Sequence, residues 1–310
     1  MTHQESLTKV IEEIREEYPG MLILENEPFS KHGSMRVGGP IRAIASPGDV
    51  FSLSKVCSYL KRNAIAPFIL GNGTNVVIPD EGLDLFMIKT EKLTKMWMQT
   101  DGSLYAEAGN SLAKVSQFAQ ANGRAGLEFA SGIPGTLGGG ILMNAGAYGG
   151  EMKDIVSSVR LMKQDGTEIT ELGAEEMDFG YRHSMVQDRG LIVLSADMVL
   201  TPDDPEAIAA RVHELQEKRN AKQPVNYPSA GSTFKRPAGG YAAALIDDAG
   251  LKGFSIGGAM VSEKHAGFVI NTGGATTADV LAVMRHVREA VWEKSGIMLE
   301  PEVRLINCSL

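Results

Sequence analysis

Cysteine is nearly missing from this chain: two residues, Cys57 and Cys308, among 310. Neither stands at a metal-binding or dithiol spacing, and such sparse use suits a reducing compartment. An excess of positive charge is missing too. Lysine and arginine total 30 against 38 aspartates and glutamates, a formal charge of −8. The basic residues are scattered, which leaves no electrostatic case for nucleic acid or an anionic membrane surface as partner. No apolar run approaches the roughly 20 residues that span a bilayer. The N-terminal MTHQESLTKVIEEIREEYPG carries acidic residues where a secretory signal would be continuously apolar, so a cytoplasmic protein is expected. Also absent are the Gly-x-x-x-x-Gly-Lys-Ser/Thr phosphate loop and His-Glu-x-x-His. Metal, thiol and simple nucleotide-hydrolysis chemistry therefore have no support, and no metal is expected.

What the chain does have is glycine in one place. Ser131 to Gly150 reads SGIPGTLGGGILMNAGAYGG, with eight glycines in twenty residues. Glycine leaves no side chain to pack, so such a cluster makes sense where backbone bends sharply or approaches something closely. Successive backbone N–H groups in such turns form anion sites, and a helix N-terminus adds partial positive charge, so a phosphate is the natural occupant. Interleaved Ile133, Pro134, Leu137, Ile141, Leu142, Met143 and Tyr148 argue against a solvated linker.

Around this stretch the patterning is that of mixed helix and strand. Leu7, Val10, Ile11 and Ile14 recur at helical spacing before the stop Pro19-Gly20. Met21 to Leu24 and Ile41 to Ala45 read as strands. A helix opened by Ser46-Pro47 is expected to bury Val50, Phe51, Ser54, Cys57 and Leu60, with Cys57 an inert buried thiol. Ile65 to Ile78 reads as strand, glycine turn, strand. Ser111 to Asn122 is a helix, Ile155 to Met162 and Leu191 to Leu200 are strands, and composition shifts near Thr201 into a polar helix ending at Pro224. A short helix at Tyr241 to Ala249 and a buried strand at Gly267 to Asn271 follow. Thr276 to Asp279 reads as a capping box for a last helix lined by Val280, Met284, Val287 and Val291. Ile297 to Ile306 reads as a closing strand, which would put Glu300, Glu302, Arg304 and Ile306 on one face.

A second glycine loop, GNGTN at Gly71 to Asn75, lacks the third glycine and the following helix of a dinucleotide fingerprint. If it closes with residues 132–140 on one ligand, that ligand carries a diphosphate. The pair GNGTN and GIPGTLGG, with NAGAYG at Asn144 to Gly149, resembles the FAD-binding signature of the vanillyl-alcohol-oxidase/PCMH-type flavoproteins. Four further segments sharpen this: FGYRHS (Phe179 to Ser184), RxxKxP (Arg219 to Pro224), SAGSTFKRP (Ser229 to Pro237) and LEPEVRLI (Leu299 to Ile306). In this order they resemble the UDP-N-acetylenolpyruvoylglucosamine reductase family, flavoenzymes of bacterial peptidoglycan synthesis, from about His32 to the C-terminus. Fifty residues separate Arg182 from Ser232, which fits the shorter branch that lacks an inserted tyrosine-bearing loop.

The resemblance implies an α+β protein. Residues 1–90 with 299–310 would form one FAD-binding lobe, 91–200 a second, and 201–298 a substrate-binding domain. It implies FAD held without a covalent bond by Gly71, Asn72, Gly73, Thr74, Asn75, Gly132, Ile133, Pro134, Gly135, Thr136, Gly138, Gly139, Asn144, Ala145 and Gly146. NADPH would be the reductant and UDP-N-acetylglucosamine enolpyruvate the substrate. Ser232 would donate the proton needed at the carbon beside the substrate carboxylate, Arg182 would bind and polarise that carboxylate, and Glu302 would handle hydrogen bonds or protons at the enol. Tyr181, Arg219, Lys222, Arg236 and Arg304 would bind substrate; Lys235, Lys264 and His265 are weaker candidates. His32-Gly33 stand where hydroxyl-bearing residues are common, which leaves the flavin contacts there open. On their own residues, two other readings stay open: an oxidase of the same fold acting on a small alcohol or sugar, and a nucleotide-sugar binding module without catalysis.

Overall fold

The computed structural model describes residues 3–310. The chain forms two compact units, Met1–Glu25 with Ala43–Asn72 and Leu85–Lys218, and Asn26–Arg42 with Gly73–Asp84 and Arg219–Leu310. Both mix helix and strand, as expected for an α+β protein. No helix among the described residues is long and apolar enough to cross a membrane.

In the first unit the helix His3–Glu17 turns Leu7, Val10, Ile11 and Ile14 fully inward, each such burial stabilising by about 1.5–3 kcal/mol. They join Leu53, Val56, Cys57 and Leu60 of the helix Val50–Arg62, and Ala43, Ala45, Phe86 and Ile88 from strands, in one core. The buried face of the second helix is rotated from the expected one. Ser52, Leu53 and Val56 face inward, while Phe51 is 64% exposed and lies under the Lys55 ammonium. The helix starts at its Asp49 cap, later than Ser46-Pro47 suggests, and the shared core with Leu7, Val10, Ile11 and Ile14 takes its Leu53, Val56, Cys57 and Leu60 face.

The other half of this unit is an antiparallel sheet in the order Ile169–Gly173, Val156–Lys163, Leu191–Met198, Leu104–Glu107, Met96–Met98. Ser111 caps the helix Leu112–Ala121, whose Leu112, Val115 and Ala119 share a core with the sheet and with Leu137 and Ile141 of the glycine-rich segment.

In the second unit a three-stranded antiparallel sheet, Ser255–Ile256, Ala259–Val261, Val269–Asn271, packs with the helices Ala242–Asp248 and Thr277–Ser295. Val280, Met284, Val287 and Val291 are buried as their spacing predicts, and the Thr276–Asp279 capping box forms. The closing strand is far shorter than expected: only Arg304–Leu305 pairs, parallel to Val76–Val77. Upstream, Pro301 makes an isolated bridge to Phe234, and the Glu300 carbonyl accepts from the Lys235 amide. Those groups serve a different neighbour, so the chain bends at residues 301–303 and the one-face argument for Glu302 and Arg304 does not apply.

Candidate active site

The two glycine loops meet. In the first unit a Cβ at Gly71 would lie 2.4 Å from Thr136 Oγ1, so only glycine lets the first loop lie against the second. Asn72 beside it is exposed. The segment Gly132, Ile133, Pro134, Gly135 leads to Thr136, which is buried and caps a six-residue helix, Leu137–Leu142, through its side chain and the Gly139 amide. A helix of sequence LGGGIL runs against propensity, glycine being about 1 kcal/mol worse than alanine. Its small residues admit close neighbours instead: a Cβ at Gly138 would lie 2.9 Å from Ala108 Cβ.

The donors of this helix are already committed, Leu137 to the Asn110 carbonyl at 2.8 Å, Gly138 to Ala108 at 2.9 Å and Gly139 to its cap. The expected contribution of helix N-terminal amides is thus taken up internally. In the loop before it, 132–135, closed upon Gly71, Ile133 donates to the Ala130 carbonyl at 3.1 Å and Pro134 has no N–H, so the amides of Gly132 and Gly135 are the candidates for a diphosphate. Beyond the helix, Ala145 donates to the Gly140 carbonyl, and Gly146 pairs with Glu151 in a two-stranded ribbon. Asn144 is 1% exposed, and its side chain is engaged: Nδ2 donates to Glu151 Oε2 at 2.7 Å and to the Gly180 carbonyl at 3.0 Å, while Oδ1 accepts from the Lys153 amide.

Arg182 sits at the tip of the loop that Asn144 holds. Gly180 and His183 bridge each other, exposed Tyr181 and half-buried Arg182 lie between them, and the Arg182 guanidinium stands 5.2 Å from the Tyr181 ring. Arg182 adopts φ +56°, the left-handed region, which for a residue with a side chain costs on the order of 1–3 kcal/mol and persists where surroundings over-determine it. His183 braces the loop from outside, Nδ1 at 3.1 Å from the Asp178 carbonyl and Nε2 at 3.0 Å from Asp188. The Asp178 carbonyl, and after it the Asp188 carboxylate, raise its pKa.

In the second unit Gly73, at φ +61°, leaves no room for a Cβ, which would lie 2.3 Å from the His32 carbonyl; its own carbonyl accepts from the Ser34 amide. His32-Gly33 thus support the turn. Thr74 follows, half-buried. Asn75 joins the turn to the C-terminal segment: Nδ2 donates to the Glu302 carbonyl at 3.1 Å, and the Asn75 carbonyl accepts from the Arg304 amide at 3.0 Å.

The segments that carry Ser232 and Glu302 meet here. Thr233, 2% exposed, donates to the Gly267 carbonyl, its hydroxyl accepts from the Val269 amide, and its carbonyl accepts from the Glu302 amide at 2.9 Å. With Phe234 bridged to Pro301, the segment carrying Ser232 is held on both edges, between strand Val269–Asn271 and residues 300–303. Ser232, next to Thr233, and Glu302 are both half-buried.

The remaining cations lie further along the same unit. Arg219 and Lys222 end the helix Pro205–Lys222, where Lys264 donates to the Asn220 carbonyl. Arg236 stacks 4.3 Å from the Tyr241 ring, and Lys235 pairs with Glu300 at 3.3 Å. Arg304 is exposed. His265 is neutral in character: burial lowers its pKa, and Nδ1 accepts from the Gly267 amide. Sequence reasoning missed Gln187, whose amide donates to the carbonyls of Leu142 at 2.8 Å and Arg182 at 3.0 Å; no spacing rule marks such a residue.

Comparison with known proteins adds the family. A family model described as UDP-N-acetylenolpyruvoylglucosamine reductase, C-terminal domain, matches residues 223–306, and one described as FAD binding domain matches residues 41–171. UDP-N-acetylenolpyruvoylglucosamine reductase of Caldanaerobacter subterraneus is 46% identical over 98% of this chain and 99% of its own. That of Limosilactobacillus fermentum is 46% identical over 94% of this chain and 96% of its own. The crystal structure of UDP-N-acetylenolpyruvylglucosamine reductase from Thermus caldophilus matches with a TM-score of 0.80 at 31% identity, covering 92% of this chain and 99% of that one. With identity of this degree along nearly the whole chain, and an FAD binding domain where the glycine loops meet, the chain belongs to the UDP-N-acetylenolpyruvoylglucosamine reductase family.

Proposed function

We propose that this chain is an FAD-dependent oxidoreductase that uses NADPH to reduce the enolpyruvyl group of UDP-N-acetylglucosamine enolpyruvate, giving UDP-N-acetylmuramate for peptidoglycan synthesis in the cytoplasm. The observation that supports the roles is the seam between the Thr233 carbonyl and the Glu302 amide, which joins the segments carrying Ser232 and Glu302 on a braced backbone. Bound FAD would supply hydride transfer, taking it from NADPH and delivering it to the terminal carbon of the enolpyruvyl double bond. The residues then deal with what that leaves, an enolate beside a carboxylate. Arg182 offers a planar fork to the carboxylate and balances the charge that builds there. Ser232 gives its hydroxyl proton to the carbon beside the carboxylate; a serine is a weak acid, but an enolate is a strong base, and a fixed backbone makes the transfer feasible. Glu302 hydrogen-bonds the enol or handles the proton. Arg219 and Lys222 suit the substrate diphosphate, with Tyr181, Arg236 and Arg304 as further contacts. Residues 132–135 and 71–75 suit the flavin diphosphate. In functional terms residues 1–90 with 299–310, and 91–200, serve as flavin lobes and 201–298 as the substrate domain.

Anaerobic stopped-flow spectroscopy tests this. NADPH should bleach the flavin absorbance, and the enolpyruvate substrate should restore it faster than oxygen does; rapid reoxidation by oxygen with no response to the substrate would point to an oxidase instead. Ser232→Ala should leave reduction by NADPH nearly intact and slow reoxidation by substrate at least ~10²-fold, the loss typical of a general acid. Equal losses in both half-reactions would make Ser232 a shaping residue.

A further inference from the structure

Two side-chain amides of the first unit converge on the loop that presents Arg182. Asn144, just past the end of the glycine helix, donates to the Gly180 carbonyl at 3.0 Å. Gln187, in the short helix Met185–Arg189, donates to two carbonyls at once, Arg182 at 3.0 Å and Leu142 at 2.8 Å. Leu142 is the last residue of the glycine helix, and its carbonyl also accepts from Ser184 Oγ at 2.9 Å. The Arg182 backbone is therefore tied to the segment that the flavin reading assigns to the cofactor, and it is tied in the left-handed conformation that a residue with a side chain adopts only when held.

We infer that Gln187 is a positioning residue for Arg182: its amide fixes the Arg182 peptide against the end of the glycine helix and so sets where the guanidinium meets the substrate carboxylate. This rests on the role proposed for Arg182. The inference follows from donor count. A primary amide has two N–H groups, and the Gln187 amide meets two carbonyls, one on each of the segments whose separation matters. A group that only filled space would need neither donor. A displacement of about 1 Å at an orienting contact can slow a reaction by ~10²-fold, so a modest slip of this peptide would be visible in the rate.

The test uses the holoenzyme with Gln187→Glu, which keeps the shape and sets acceptors against both carbonyls, Gln187→Lys, which keeps a donor, and Arg182→Ala as reference. Expected for Gln187→Glu is a loss of about 10- to 100-fold in substrate-driven reoxidation, the scale of two lost hydrogen bonds, with KM for the enolpyruvate raised, KM for NADPH and reduction by NADPH nearly unchanged, and Gln187→Lys recovering most of the loss. In an Arg182→Ala background the same substitution should change nothing further. Gln187→Ala carries the same expectations and serves where the glutamate variant fails to retain flavin. An unchanged substrate step, equal losses in both half-reactions, or a loss of the same size without Arg182 overturns the assignment. If Arg182→Ala by itself reoxidises at the wild-type rate, the role of Arg182 fails and this inference with it; full loss in Arg182→Ala beside an intact Gln187→Glu sinks the positioning role alone.

Discussion

At Gly71 and Thr136 the contact between the two loops comes down to one missing methyl group. A Cβ on Gly71 would stand 2.4 Å from Thr136 Oγ1 and 3.3 Å from its Cγ2. Gly71→Ala is therefore expected to destabilise by about 1–3 kcal/mol, as overpacking does, and to lower the flavin content of purified protein. In a Thr136→Ala background, which removes both clashing atoms and itself costs about 1 kcal/mol as a lost cap, the added penalty of Gly71→Ala should shrink. Urea unfolding of the four proteins measures it; additive losses would mean that the clash is not the cause. Other residues were readable for different reasons. Cys57 falls on an apolar stripe, is buried as expected, and burial pushes its thiol up to about 12, so it is inert. The tethering of Asn75 to Glu302 was not readable, because residues 227 apart in sequence share no local pattern.

Among the elements, the helix Thr277–Ser295 has the most thoroughly satisfied N-terminus. Beyond its own capping box, the Asp80 carboxylate accepts from the amides of Thr277 at 2.8 Å and Ala278 at 2.9 Å, and Thr277 Oγ1 donates to the Ile78 carbonyl. A carboxylate there also complements the positive end of the helix dipole. Asp80→Ala should cost about 1–2 kcal/mol, the range of a lost N-cap, read as a lower urea midpoint with unchanged slope; a change below a few tenths would show that the capping box suffices. The box itself was legible in Thr276-x-x-Asp279, whereas the second cap, supplied by a segment nearly two hundred residues away, was not. The same division explains the two misread elements. Periodicity located the helix Val50–Arg62, but packing with Leu7, Val10, Ile11 and Ile14 chose the face it buries. Alternation put Glu300, Glu302, Arg304 and Ile306 on one face, but pairing with residues 233–235 bent the chain out of a strand.

For the whole molecule, the glycine-rich loops predict that stability is linked to flavin. A ligand that binds only the folded state adds about 2.7 kcal/mol at a hundred times its Kd. Apoprotein titrated with FAD should therefore show a Tm that climbs with the logarithm of free FAD; a Tm indifferent to FAD would remove the diphosphate reading of residues 71–75 and 132–135. Local periodicity located most helices and strands, and the order of the motifs, through their resemblance to a known family, pointed to the α+β class, the family and the residues to question. Only the tertiary structure decided that Gly71 touches Thr136, that Ser232 and Glu302 share a backbone seam, that the glycine helix commits its own donors, and that Gln187 holds the Arg182 peptide. Each of these is a hydrogen bond or close approach whose geometry is set by packing, and packing is a property of the folded chain rather than of any stretch of it.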